Sequence, residues 1–321
     1  MPDDAPLVYY PDTRPGIARR RAGRGFCYIA PDGTRIDRGP ERDRLQRMAV
    51  PPAYDKVWMT PLENGHLLAT GYDSRARKQY RYHADWSLRQ AETKFAHLVP
   101  FGRLLPRIRR RVLRDLTAEA GDPAFALAAA VTLIDRLALR VGNESYLREN
   151  GSRGALTLGR RNLRLKDGTL HLTFTAKGGK RVRRQLSDRR LTRVLEKVQD
   201  LPGTDLLAWI GTDGESHTLS SASLNAYLAE AAGEGGHTAK TFRTWAGTRA
   251  AFEAALAGAR SIAALSQAAA DALYNTPTVA RTSYVHPRVI ALAGQEVNLP
   301  APVDLPQMTK AERQLLSFLE S

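Results

Sequence analysis

A chain of 321 residues with 43% hydrophobic content is long enough for two domains with real cores. Its formal charge of +15, from 48 Lys and Arg against 33 Asp and Glu, repels itself unless a polyanion answers it. Nucleic acid meets that need through counterion release at each phosphate contact, whereas a membrane is excluded as partner because no apolar run spans a bilayer and no basic amphipathic anchor is present.

The first stretch reads as β-rich. Gly25 to Ile29 is a strand that enters the turn Pro31-Asp32-Gly33-Thr34. Pro40 to Met48 suits a short polar helix, and Val57 to Pro61 a second strand. Glu63-Asn64-Gly65-His66 carries the Asn-Gly turn signal, His66 to Asp73 leads out of it, and Lys78 to Tyr82 returns. From Asp85 the periodicity becomes helical. Asp85 or Ser87 caps a helix through His97, Leu104 to Ala120 continues, and Pro123 opens a helix through Leu139. An island of strands follows at Ala155–Leu158, Asn162–Leu165 and Leu170–Thr175, with Arg181 to Leu186 as a return strand. The rest is mostly helix: Ser187 or Asp188 through Leu195, Ser220–Ala232, Thr241–Leu256, Ser261–Tyr274, Pro277–Tyr284, and a last amphipathic helix capped by Thr309. The expected class is α+β. Residues 1–86 form a small β-rich domain, and residues 87–321 a larger, mainly α-helical domain with an embedded three-stranded antiparallel sheet.

Cofactor chemistry finds little support in the sequence. Cys27 is the single cysteine, which rules out an internal disulfide and a cysteine metal cage and suits a reducing cytoplasm. His66, His83, His97, His171, His217, His237 and His286 show no i, i+4 pairing, so no zinc site is expected. Gly178-Gly179-Lys180 is too short for a nucleotide phosphate loop. The start, Met1-Pro2-Asp3-Asp4, lacks the regions of a signal peptide. We therefore expect a cytoplasmic monomer acting on nucleic acid, with no metal, no small-molecule cofactor and no membrane partner.

One constellation carries chemistry. Breaking a phosphodiester with a protein nucleophile needs an oxygen in line, cations around the phosphorane, and an acid for the leaving sugar oxygen. Tyr284 closes a short helix opened by Pro277. Arg243 lies in Lys240-Thr241-Phe242-Arg243-Thr244-Trp245, and Arg140 precedes Val141-Gly142. Lys177 stands on the hairpin tip Phe174-Thr175-Ala176-Lys177-Gly178-Gly179-Lys180, where a desolvated ammonium beside other cations can give up a proton. Each residue alone also has an ordinary reading: an amphipathic tyrosine, arginines on helix-end carbonyls, a solvated tip lysine.

Taken together and in order, these segments resemble the type IB DNA topoisomerases, in particular their compact bacterial, poxvirus-like form, over nearly the whole chain. Arg140-Val141-Gly142 with Tyr146-Leu147-Arg148 and Gly154 to Leu158 resembles the first arginine block, and Lys240 to Thr244 the second. Asn275-Thr276-Pro277 and Ser283-Tyr284 look like the tyrosine block. The resemblance implies a 3′-phosphotyrosyl bond at Tyr284, nonbridging oxygens held by Arg140 and Arg243, and Lys177 rather than its neighbour Lys180 as general acid. Strand rotation and religation would follow without ATP. It also implies DNA contacts from Arg75, Lys78, Gln79, Tyr80 and Tyr82 in the N-terminal domain and from Tyr146, Lys180 and Lys240 in the catalytic one. Asn275 stands where many members carry histidine; it can donate a hydrogen bond to the phosphate but cannot titrate. Tyrosine recombinases share this chemistry, but they generally carry His-x-x-Arg where this chain has Lys240-Thr241-Phe242-Arg243, and their N-terminal domain is usually helical. Two further classes fit the charge alone: a non-catalytic DNA-binding protein and an RNA-binding protein.

Overall fold

The structure, a computed structural model, describes residues 6–199, 205–296 and 300–321. The segment Met1 to Asp4 lies outside them. The chain forms two compact units, Met1–Lys94 and Phe95–Ser321.

The first unit is one antiparallel six-stranded sheet. Its strands are β1 (Ile17–Ala22), β2 (Gly25–Ile29), β3 (Arg35–Ile36), β4 (Asp55–Met59), β5 (Leu67–Tyr72) and β6 (Lys78–Tyr82), in the order β3-β2-β1-β4-β5-β6. Helix α1 (Pro40–Arg47) follows β3, and its Leu45 joins Ile17, Tyr28, Met48, Val57, Met59 and Ala69 in the core. Strand β1 runs through Arg19-Arg20-Arg21, a stretch whose charge in sequence suggests phosphate binding. The pleat sorts it differently. Arg19 turns inward and is buried, donating to the carbonyls of Val50 (2.6 Å), Pro51 (2.8 Å) and Tyr54 (3.0 Å) beneath the ring of Phe26. Three acceptors satisfy this guanidinium, so it is a structural post.

The second unit is helical around one large core. Helix α2 (Ala84–Ala96) carries the division between the units and is followed by α3 (Leu98–Asp115) and α4 (Pro123–Leu137). Asp122 caps α4 by accepting from Ala124 N at 2.6 Å, and Pro123 fills the first turn. The helix stops two residues before the expected Leu139, because Ala138 adopts a left-handed φ of 51°. Helix α5 (Glu144–Asn150) precedes the embedded sheet of β7 (Leu163–Lys166), β8 (Thr169–Thr175) and β9 (Arg181–Ser187), ordered β7-β8-β9 and antiparallel. The strand expected at Ala155–Leu158 is instead a 3-10 turn over Ala155–Thr157. The N–H groups of Ala155 and Leu156 go to the carbonyls of Arg140 and Val141, and Thr157 Oγ1 accepts from Gly154 N at 2.9 Å, which closes the turn.

Helix α6 (Arg189–Gln199), the ribbon of β10 (Ala208–Ile210) and β11 (Ser216–Thr218), and helices α7 (Ser221–Ala232), α8 (Ala239–Leu256), α9 (Ile262–Leu273), α10 (Pro277–Tyr284), α11 (Pro287–Ile290) and α12 (Lys310–Glu320) complete the unit. Phe101, Phe125, Leu133, Trp245 and Phe252 lie fully buried in its core. Among the described residues no helix is long and apolar enough to cross a membrane.

Helix α12 is fastened by a buried ion network. Arg109 donates to Asp135 (2.8 and 2.9 Å) and to Glu312 (2.8 and 3.0 Å), while Trp245 Nε1 donates to Glu312 at 3.2 Å. Burial opposes the Glu312 charge, but hydrogen bonds and attraction from Arg109 outweigh it and pull the carboxyl from 4.5 to about 2. A depressed carboxyl stabilises the fold above its unfolded pKa, and that contribution is lost as pH falls. The loss is therefore expected between pH 4.5 and about 2. Glu312→Gln should destabilise the protein at pH 7 by roughly 1–3 kcal/mol, since it removes one of the two carboxylates that answer the buried Arg109 and leaves Asp135 as the other. Denaturant melts at pH 7 and pH 3 should show the gap between wild type and variant shrinking at the lower pH.

Candidate active site

Tyr284 is the last residue of α10, which begins with Thr276 as cap and Pro277 in the first turn. Its position is set through its backbone. The Tyr284 carbonyl accepts from Thr248 Oγ1 at 3.2 Å, and the same Oγ1 accepts from His286 N at 3.1 Å. Gly247 on α8 permits the approach: a Cβ there would lie 2.9 Å from the Tyr284 carbonyl oxygen and 2.7 Å from Leu273. The half-buried ring packs against Ala138, Ala246 and Leu273.

Arg243 reaches this ring from α8. Its guanidinium carbon stands 5.1 Å from the Tyr284 ring centroid. The side chain is 3% exposed and donates to the carbonyls of Ala138 and of Leu273, the latter at 3.0 Å. These carbonyls belong to the C-terminal ends of α4 and α9, where unpaired acceptors and the helix dipole favour a cation. Burial, and then the charge of Arg140, push Arg243 down to about 10, with Tyr284 pulling the other way. The group stays charged at neutral pH.

Arg140 lies just past the left-handed Ala138. Half-buried, it donates to Asn275 Oδ1, and burial lowers its pKa while Tyr284 opposes that shift. Asn275 is 8% exposed, and its Nδ2 is buried with no partner among the described residues. An orphan donor of this kind costs roughly 1–3 kcal/mol until something accepts from it. Among the described residues no carboxylate forms an ion pair with Arg140 or Arg243. The site thus gathers two adjacent guanidiniums, a phenol and an unpaired amide donor, an arrangement suited to an anion with several oxygens.

The hairpin tip meets this cluster unevenly. Lys177 opens a 3-10 turn in which Gly178 takes φ 80°, a left-handed conformation that favours glycine. Its ammonium stands 6.0 Å from the Tyr146 ring centroid, and both residues are exposed. Lys180 instead donates to the Asn275 carbonyl at 2.8 Å. Lys240 is exposed one turn before Arg243 on α8. Tyr284, Arg243, Arg140, Asn275 and Lys180 are thereby brought together, while Lys177 and Tyr146 pair at the tip. Sequence reasoning missed Thr248 and Gly247, because a Gly-Thr pair inside a helix carries no signal until the element packed on it is known.

In the first unit, β6 is an edge strand whose alternation divides the predicted contact residues. Lys78, Tyr80 and Tyr82 share one face; the two tyrosines are exposed and stacked at 6.1 Å, and Lys78 pairs with Asp12 at 2.6 Å. Gln79 lies on the other face and donates to Asp73 at 3.0 Å. Arg75 is exposed in the turn before β6, where its N–H caps Asp73 Oδ1 at 2.9 Å.

Comparison with known proteins bears on the family of the chain. A family model for the bacterial DNA topoisomerase IB N-terminal domain matches residues 25–73. One for the eukaryotic DNA topoisomerase I catalytic core matches residues 78–282, so that Tyr284 falls just beyond it. DNA topoisomerase 1B of Acanthamoeba polyphaga mimivirus is 26% identical over 286 residues, covering 84% of this chain and 85% of that protein. DNA topoisomerase 1B of vaccinia virus (strain Copenhagen) is 23% identical over 147 residues, 44% of this chain and 46% of that protein. Among solved structures, the XerH site-specific recombinase bound to difH substrate in a pre-cleavage complex aligns with a TM-score of 0.38 and 16% identity. It covers 57% of this chain and 49% of that one, too slight a likeness to bear on function. With its catalytic core and N-terminal domain both matched, the chain belongs to the type IB DNA topoisomerases, enzymes that cleave and religate DNA strands.

Proposed function

We propose that this protein relaxes supercoiled double-stranded DNA through a covalent 3′-phosphotyrosyl intermediate at Tyr284, needing neither ATP nor metal and working as a monomer on the nucleoid. The observation that carries the reading is the pair of guanidiniums beside the phenol, with no carboxylate among the described residues to neutralise them. Held by helix-end carbonyls and by Asn275 before DNA arrives, Arg243 and Arg140 need little reorganisation when charge builds on phosphorus, and one well-aimed donor of this kind is worth roughly 10²–10³ in rate. The orphan Nδ2 of Asn275 adds a neutral donor to the same phosphate.

Cleavage begins as the Tyr284 oxygen bonds to phosphorus and its proton passes to solvent water. The bond from phosphorus to the 5′ oxygen breaks, and Lys177 gives that oxygen a proton. The freed strand rotates, and the 5′ hydroxyl then attacks the phosphotyrosine to restore the DNA. Bond energy is conserved in the tyrosyl ester, so religation needs no nucleotide. Lys177 is exposed and reaches the scissile bond by movement of the glycine-rich tip. In the N-terminal domain, residues 1–86, Tyr80 and Tyr82 form an aromatic face for DNA beside Lys78, which exchanges Asp12 for a phosphate, flanked by Arg75 and Gln79; Tyr146, Lys180 and Lys240 add contacts around the catalytic site.

Negatively supercoiled plasmid incubated with the protein in excess chelator and without nucleotide should relax as fast as with added magnesium at matched ionic strength. Quenching with detergent should trap protein on the 3′ side of a nick. Complete loss of relaxation in chelator would defeat the reading.

A further inference from the structure

The C-terminal end of α9 is a meeting point for cations. Four carbonyls there accept from three basic side chains. Asp271 and Ala272 accept from Arg184 Nη2 at 3.3 and 2.9 Å, Leu273 from Arg243 at 3.0 Å, and Asn275 from Lys180 at 2.8 Å. The last carbonyls of a helix have no partner within it, so they draw cations. Tyr274, between these acceptors, holds the left-handed φ of 56° that ends the helix, an unusual conformation for an aromatic residue. The Arg184 guanidinium lies over its ring, 4.2 Å from the centroid.

Arg184 and Lys180 share a side of the hairpin. Into and along β9 the even positions 180, 182 and 184 lie on one face, and Val182 between them is buried in the core. Two cations on one face of the hairpin's return arm therefore clamp the turn that carries Asn275. That strand also carries the tip on which Lys177 sits, and the turn leads directly into α10 and Tyr284. The clamp thus ties the tip to the tyrosine segment through Arg184 on β9 and Lys180 just before it.

We propose that Arg184, stacked on Tyr274, is a positioning residue that sets the hairpin tip against the tyrosine segment and so places the tip lysine for proton delivery to the leaving oxygen. The inference rests on the reading of Lys177 as general acid. Arg184 itself touches no reacting atom.

The test compares two suicide duplexes, one with an ordinary scissile phosphate and one with sulfur in place of the bridging 5′ oxygen. A thiolate leaves without an acid, as its low pKa shows. On the ordinary duplex Arg184→Ala should slow single-turnover cleavage roughly 10–100-fold, the scale of an ångström-sized misplacement, with DNA affinity within about twofold of wild type. On the sulfur duplex the defect should vanish, as it should for Lys177→Ala. Arg184→Lys, which keeps the charge but loses the planar fork, should fall between wild type and Arg184→Ala and guards against loss of fold, checked by thermal melting. Lys177→Ala rescued by sulfur with the Arg184 variants slow on both duplexes would overturn the positioning role alone. Lys177→Ala left unrescued would sink the general-acid reading and the clamp with it. Unchanged cleavage in folded Arg184→Ala would also overturn the proposal.

Discussion

Tyr284→Phe is expected to abolish both the trapped protein–DNA adduct and plasmid relaxation, a fall of roughly 10⁵-fold or more, as when a covalent nucleophile is removed. DNA affinity and fold should survive. The substitution removes one oxygen and keeps the ring, which packs on Ala138, Ala246 and Leu273 and faces Arg243. The position of residue 284 is fixed by its main-chain carbonyl on Thr248, which phenylalanine retains. Loss of activity with intact binding therefore isolates the chemistry of the phenol. The measurements are detergent trapping on a nicked or suicide duplex, plasmid relaxation, and equilibrium binding at matched salt, since phosphate contacts make affinity steeply salt-dependent. A persistent adduct in the variant would move the nucleophile to another side chain. Tyr274 is then the nearest tyrosine in sequence, and its hydroxyl is buried with no partner among the described residues.

What the sequence made legible was local. Pro277 marks the start of a helix that ends on Tyr284, although its cap is Thr276. The Lys166-Asp167-Gly168 turn announces the β7–β8 hairpin, and Thr309 announces α12. What escaped depends on distant partners. Ala155–Leu158 has strand-like residues, but the nearby carbonyls of Arg140 and Val141 claim its N–H groups and bend it into a turn. Arg19-Arg20-Arg21 reads as a patch of charge until the pleat and the carbonyls of Val50, Pro51 and Tyr54 assign Arg19 to the interior. Arg184 has the look of any exposed arginine of a basic hairpin, and only the folded position of the α9 C-terminus gives it a role. Motifs single out Arg140, Arg243 and Tyr284, but they cannot show that helix ends from α4 and α9 hold Arg243 in place.

That support separates the two arginines, and it yields the second large expected effect. Arg140→Ala should slow single-turnover cleavage by roughly 10²–10³-fold while destabilising the fold less than Arg243→Ala does. Arg140 is half-buried, its side-chain partner is Asn275 Oδ1, and its removal relieves repulsion on Arg243. Arg243→Ala should slow cleavage at least as much, and it should also destabilise the fold. It empties a buried site and leaves the Ala138 and Leu273 carbonyls without their donor, at roughly 1–3 kcal/mol for each buried group left unsatisfied. Arg243→Lys keeps a charge but cannot span both carbonyls and still present an edge to phosphate, so it should recover stability more than rate. The decisive comparison is cleavage rate, DNA affinity and denaturant midpoint for all three variants. Rate losses that exceed affinity losses by an order of magnitude or more place both arginines at the transition state. Equal losses in rate and affinity would reduce them to docking contacts, and an Arg140→Ala protein as unstable as Arg243→Ala would mean that the helix-end carbonyls are not what distinguishes them.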